Sequence, residues 1–194
     1  MYRAGALAAI RAGVGFHEHE ALTAIAESVE IELTGLGRGP VLLDGEDVTE
    51  AIRAPDVTRG ASVMSTVSGV RRAMVEQQRR VGHSVDCVME GRDIGTVVFP
   101  DAELKIFLIA TLDERTRRRL ADLERLGRPA DEDAVREEIA ERDRRDSTRE
   151  DSPLRRAEDA VELDTTGLTI EEQVAEVVRL ARERGATPPC GCGR

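Results

Sequence analysis

The segment that most constrains this chain is Leu104–Ala110, LKIFLIA. It is an almost unbroken apolar run with two isoleucines and a phenylalanine, the pattern of a parallel strand covered on both faces. Thr111-Leu-Asp-Glu114 follows at once and reads as a capping box. It opens a helix to about Leu126, with Gly127 as its stop. The same grammar recurs near the C-terminus. Val161–Asp164 reads as a short strand, and Thr169-Ile-Glu-Glu172 as a second capping box opening a helix to about Arg184. Ser84–Met89 reads as a further buried strand, with Cys87 as a core residue. Strands alternating with helices predict an α/β chain built on a mainly parallel sheet flanked by helices. Ligands of such sheets bind beyond the strand C-terminal ends.

The N-terminal half has a different texture. Residues 1–12 and 20–29 read as helices, the second with Leu22, Ile25, Ala26 and Val29 on one stripe. Ile31–Leu33 and Val41–Leu43 read as short strands. Asp44-Gly45 is a hairpin signal, and residues 68–81 return to helix. A small β-rich insert therefore interrupts the helices. At 194 residues and 40% hydrophobic, the chain can bury one core. No stretch approaches the roughly 18 apolar residues of a membrane span, and no signal-peptide layout is present. A cytoplasmic protein is expected. A net charge of −10 argues against broad binding to nucleic acid or anionic membranes. Three cysteines do not make a disulfide framework. Cys190 and Cys192 fall in a Pro/Gly tail that supplies too few ligands for a metal and reads as disordered. His17, His19 and His83 read as residues of solvated turns.

Three places concentrate groups that bind phosphate or nucleobases. Gly91-Arg92-Asp93-Ile94-Gly95 leaves the expected buried strand 84–89, carrying a cation and an anion between glycines. The spacing suits a ligand with a phosphate and a donor group equally with a structural Arg–Asp pair in a turn. The helix 111–126 carries Arg115, Arg117, Arg118 and Arg119, which go around the helix and by themselves suit a solvated surface. In ERDRRDSTR at 141–149, Arg142, Asp146 and Arg149 share one helix face. A local salt-bridge ladder is the plainer account of that face. Lys105 is the only lysine among 28 basic residues. Most of the arginines are surface background, and a minority suit bidentate phosphate recognition.

Taken together, MYRA at 1–4, LDGEDVTEAIR at 43–53, EGRDIGTVVFPDAELKIFLIA at 90–110, ERDRRDSTR at 141–149 and VELDTT at 161–166 resemble the bacterial cytidylate kinase family. The likeness runs from residue 1 to about 184. It implies the nucleoside monophosphate kinase variety of the P-loop fold, with core pieces at 1–30, 69–112 and 151–185. An NMP-binding insert is implied at 31–68 and an Arg-rich lid at 113–150, with a tail at 186–194. It implies transfer of the ATP γ-phosphoryl group to CMP or dCMP, with Mg²⁺, by a monomer that binds neither nucleic acid nor membrane. It implies that Arg3, Arg92 and Arg149 hold phosphate and that Asp93 and Arg71 read cytosine. Arg142 and Asp146 are implied near the sugar and phosphate of CMP. Arg115, Arg118 and Arg119, with Arg92, are implied catalytic cations at the transferring phosphates.

One departure carries an expectation of its own. The family's first strand, its G-x-x-x-x-G-K-[ST] loop and its first helix, roughly 30 residues in all, have no counterpart in these 194 residues. No Gly-Lys-Ser/Thr occurs, and Lys105 lies in a strand pattern. The sheet is then expected to lack its central strand and to expose two edges. The chain as written is expected to be poorly stable and impaired in transfer. A start codon placed too late and a truncated copy are the two explanations, the first favoured because the acceptor half is intact.

Overall fold

A computed structural model describes residues 1–34 and 39–187. The N-terminal part is a helical layer over a small antiparallel sheet. Helices α1 (Tyr2–Arg11) and α2 (His19–Ser28) precede strands β1 (Ile31–Leu33), β2 (Val41–Leu43) and β3 (Glu46–Asp47). The strands pair in the order β1-β2-β3, all antiparallel. Asp44 and Gly45 both take positive φ, 51° and 82°, which is the backbone a two-residue hairpin needs. Helices α3 (Pro55–Met64) and α4 (Ser68–Gly82) follow. Residues 31–68 hold a full helix, α3, that their sequence did not announce. Pro55 stands at its first turn, and Val57, Ala61 and Met64 supply a buried stripe at helical spacing.

The core lies between α1, α2, α3 and α4. Leu22, Met64, Met74, Val70, Val57 and Val48 are its largest fully buried side chains. Burying a side chain of this kind contributes about 1.5–3 kcal/mol. Ala4, Gly5, Ala6 and Ala9 make the buried face of α1 small enough for α3 to approach closely. Gly60 on α3 takes the Phe16 ring directly above its Cα. A Cβ there would overlap the ring, so Gly60→Ala is expected to lower unfolding free energy by about 1–3 kcal/mol. Urea unfolding followed by far-UV circular dichroism checks this.

The second part is an α/β unit. Strands β4 (Ile106–Ile109) and β5 (Val161–Asp164) pair in parallel, joined through helices α5 (Leu112–Arg125) and α6 (Glu132–Thr148), and α7 (Ile170–Glu183) follows. The fold is thus mixed α/β with a parallel sheet and flanking helices.

Three local expectations need correction. Residues 84–89 form no strand; the segment is irregular and largely exposed, with Val88 at 96% exposure and Cys87 on the surface rather than in the core. A strand needs a hydrogen-bonded neighbour, and no described segment pairs with it. The apolar run 104–110 is not covered on both faces, because Leu108 is 58% exposed on β4. Only half of the first capping box forms. Thr111 Oγ1 accepts from the Glu114 backbone N–H at 3.3 Å, but the Thr111 N–H donates to Thr166 Oγ1. The Glu114 carboxylate is taken by Arg117 and Arg118, which hold its pKa down at about 2. The second box, Thr169 with Glu172, is complete. Cys190, Cys192 and most of the 186–194 tail lie outside the described residues.

Candidate functional site

The site begins with one backbone device. Asp93 caps a single π-helical turn, Ile94–Val98, and its carbonyl oxygen accepts from the backbone N–H groups of Thr96, Val97 and Val98. Arg79 on α4 clamps the far end of that turn, donating to the Val98 and Val97 carbonyls at 3.0 and 2.7 Å. A turn tied at both ends gives the Asp93 side chain one direction. That direction meets α4, where Arg71 is 3% exposed. Arg71 Nη2 donates to Asp93 Oδ2, and Arg71 Nη1 donates to the Ser65 carbonyl at 3.2 Å.

Helix α6 brings the rest. Its residues Arg142 and Asp146, with Arg149 just past its end, face the 91–93 loop. Arg92 Nε donates to Asp146 Oδ2 at 2.8 Å. Arg149 stands between the two carboxylates, 3.7 Å from Asp93 and 3.7 Å from Asp146. Arg142 lies 3.8 Å from Asp146. Asp93 and Asp146 are 6% and 4% exposed, so these are buried charges that need one another. Arg71 Nε and Arg149 Nη2 are buried without a hydrogen-bond acceptor. Buried donors left open in this way suit a ligand's acceptor atoms.

Together these groups line a cleft of about 290 Å³. Arg3, Arg71, Arg92, Asp93, Arg142, Asp146 and Arg149, all seven residues expected at the acceptor nucleotide, are on its wall. They come from α1, α4, the 91–93 loop and the end of α6. Within the cleft the Asp93 carboxylate sits between the guanidiniums of Arg71 and Arg149. Burial and the charges of Arg119 and Arg53 lower the pKa of Arg3. Burial and the charges of Arg92 and Arg3 likewise lower that of Arg142. Like charges gathered in this way favour an anion between them. Burial pushes the hydroxyl of Tyr2, another wall residue, above its ordinary pKa.

The expected catalytic arginines of α5 behave differently. Arg115 pairs with Asp143 at 2.5 Å, and Arg118 bonds Glu114 and the Thr165 backbone and side chain. Neither reaches the cleft, because each finds a partner closer to its own helix. Arg119 makes no ion pair with a described residue and acts on Arg3 through its charge. Ser62 and Ser65 of the α3 end are among the wall groups that escaped the sequence reading. Serines in a helix of small residues carry no distinguishing sequence signal. A larger, shallow groove on α7 is lined by Val174 and Val178 and by charged residues such as Arg179, which pairs with Glu183.

A family profile described as cytidylate kinase matches residues 1–183. The chain belongs to the cytidylate kinase family. Membership also makes it a nucleoside monophosphate kinase by family. A cytidylate kinase of Solibacter usitatus (strain Ellin6076) is 48% identical over 186 residues, 95% of this chain and 79% of that protein. A cytidylate kinase of Bacillus velezensis (strain DSM 23117) is 43% identical over 185 residues, 95% of this chain and 83% of that protein. A bifunctional pantoate ligase/cytidylate kinase of Prochlorococcus marinus (strain MIT 9303) is 49% identical over 185 residues, 94% of this chain and 38% of that longer protein.

The family uses ATP as donor, so the donor's contacts matter too. Lys105 is not available to a phosphate: its ammonium is 2.7 Å from Asp159 and also bonds the Pro100 carbonyl. Among the described residues no group of three or more His, Cys, Asp or Glu side chains could hold a metal ion. Among the same residues no helix is long and apolar enough to cross a membrane.

Proposed function

We propose that this cleft is the acceptor site for CMP and dCMP, and that the reaction served is ATP-dependent phosphorylation to CDP and dCDP. The observation that supports it most is the convergence on one cleft wall of the buried Asp93 carboxylate with Arg3, Arg92 and Arg142. Cytosine presents an amino donor at N4, and a carboxylate can only accept. Asp93 Oδ2 is engaged by Arg71, while Oδ1 has only its long contact to Arg149 and keeps lone pairs for the base. Uracil carries an oxygen at that position and would face the carboxylate acceptor to acceptor. Polar mismatches of this kind discriminate strongly. Arg3, Arg92 and Arg142 neutralise the CMP phosphate and hold it in planar forks.

Little covalent chemistry is asked of the protein. The attacking phosphate oxygen is already ionised near neutral pH, so transfer rests on positioning and on charge stabilisation. Arg92 would contribute from the acceptor side. Arg119, which already shares the electrostatic field of Arg3, is the α5 cation best placed to join. Arg115 and Arg118 would have to exchange Asp143 and Glu114 for phosphate oxygens as the α5–α6 hairpin closes.

The donor side supports a second statement: transfer by the 194-residue chain is impaired, leaving a CMP-binding protein. Its sequence has no G-x-x-x-x-G-K-[ST] run, and its one lysine is held by Asp159. Isothermal calorimetry with CMP and UMP tests the binding half. Saturable CMP heat with UMP weaker by tenfold or more is expected, and equal affinity sinks the role of Asp93. A coupled ADP-release assay tests the other half, on this chain and on one extended through any in-frame upstream codons. Full turnover by the 194-residue chain would refute the impairment.

A further inference from the structure

Asp93 stands at the start of the π-helical turn Ile94–Val98, so whatever fixes that turn fixes the root of its side chain. Turns of this kind are rare outside longer helices, and the carbonyls at a helix end have no partner within it. Here α4 supplies the partner. Arg79 Nη2 donates to the Val97 carbonyl at 2.7 Å and Nε to the Val98 carbonyl at 3.0 Å. The Val97 carbonyl and the Val98 N–H belong to one planar peptide unit. Its oxygen accepts from Arg79, and its N–H donates to the Asp93 carbonyl at 3.3 Å. One rigid amide thus connects the Arg79 guanidinium to the Asp93 backbone. Helix α4 therefore holds Asp93 twice. Arg71 bonds the side chain, and Arg79, about 12 Å further along the helix, bonds the turn that carries the main chain. The exit of the turn is packed separately. The Phe99 ring lies over Gly82, where a Cβ would overlap it, and meets His83 edge-on with ring centroids 5.6 Å apart.

We infer that Arg79 is a positioning residue for base selectivity. It is not on the cleft wall and acts through Asp93. By holding the Val97–Val98 peptide against α4 it sets Asp93 relative to Arg71, and with it the direction of the less engaged Oδ1 oxygen. A charged donor also polarises the amide it binds, which strengthens that amide's own N–H bond to Asp93. Without Arg79 the turn keeps its Phe99 packing but loses the contact that fixes its rotation. The carboxylate then spreads over several directions, and a hydrogen bond weakens steeply as it departs from linearity. Recognition of the base suffers, whereas Arg3, Arg92 and Arg142 keep their hold on phosphate.

The inference rests on the CMP reading, and calorimetry with CMP, UMP and cytidine separates the two. Arg79→Met keeps the stem of the side chain and removes its donors. It is expected to lower the ratio of CMP to UMP affinity about fivefold, the loss of one ordinary hydrogen bond. CMP and cytidine are expected to weaken by the same factor, because the change lies at the base and not at the phosphate. Arg79→Lys keeps a charged donor for the turn carbonyls and is expected to hold the ratio within about twofold of the unaltered chain. A methionine variant that unfolds, or one that weakens CMP and UMP equally, would make Arg79 a structural clamp and overturn its role in selectivity. An unchanged ratio, a CMP loss that spares cytidine, or a lysine variant no more selective than the methionine one overturns that role as well. Each of these leaves the CMP reading standing. No saturable CMP binding by the unaltered chain overturns the functional reading and this inference with it.

Discussion

Asp93→Ala is expected to abolish measurable CMP binding and to lower unfolding free energy by about 3–5 kcal/mol. Both effects come from one carboxylate. Asp93 is buried and balances Arg71, itself 3% exposed, with Arg149 3.7 Å away. Removing it leaves a guanidinium in the interior without its counter-charge, and breaking a buried pair costs far more than the pair contributes. Arg71 then retains only the Ser65 carbonyl. A variant that fails to fold would confound the binding result, so Asp93→Asn is the companion. The amide keeps the shape of the carboxylate, and its oxygen can accept from Arg71. Its NH₂ then points where a carboxylate oxygen was. The site would offer a donor, and preference should move from CMP toward UMP. Calorimetry with both nucleotides, beside urea unfolding, reads all of this. Unchanged preference in Asp93→Asn would remove Asp93 from base recognition.

Arg92→Ala is expected to have the opposite profile, a large binding loss with little change in stability. Its Nε bonds Asp146 at 2.8 Å, but Arg142 and Arg149 remain within 4 Å of that carboxylate, so no buried charge is stranded. Arg92 is also the more exposed partner, with 39% of its side chain accessible against 5% for Asp146. A charge-assisted hydrogen bond to phosphate is worth about 1.5–3 kcal/mol, so CMP affinity should fall roughly tenfold to 150-fold. Cytidine lacks the phosphate and should bind the variant as it binds the unaltered chain. An equal loss for cytidine would show that Arg92 shapes the cleft instead of holding the anion.

These two residues show how far the sequence reaches. Gly91-Arg92-Asp93 was conspicuous as a cation and an anion between glycines, yet spacing could not distinguish a ligand site from a local pair. A pair is present, though not the expected one. Asp93 does pair, but with Arg71 and Arg149 rather than with its neighbour. Arg142, Asp146 and Arg149 show the same division. Helical spacing put them on one face, where a ladder was the simpler account. The ladder exists, but its closest contact, Arg92 to Asp146, comes from 54 residues away. The arginines of α5 were conspicuous for their number alone. Of the four at 115–119, three are held by nearby partners: Arg115 by Asp143, Arg117 by Glu114, and Arg118 by Glu114 and Thr165.

Local sequence determined what depends on near neighbours. The positions of α1, α2, α4, α5 and α7, the Asp44-Gly45 hairpin, the Thr169 capping box and the strand segments β4 and β5 follow from side-chain periodicity and turn chemistry. Tertiary structure decided what depends on a distant partner. Residues 84–89 have the composition of a buried strand, but a strand exists only when another strand satisfies its backbone, and Val88 and Cys87 lie exposed instead. The Arg145–Ser62 contact spans 83 positions and has no local signature. Hydrogen bonds and ion pairs act over a few ångströms of space, so residues remote in sequence acquire a function only when the fold brings them within that reach.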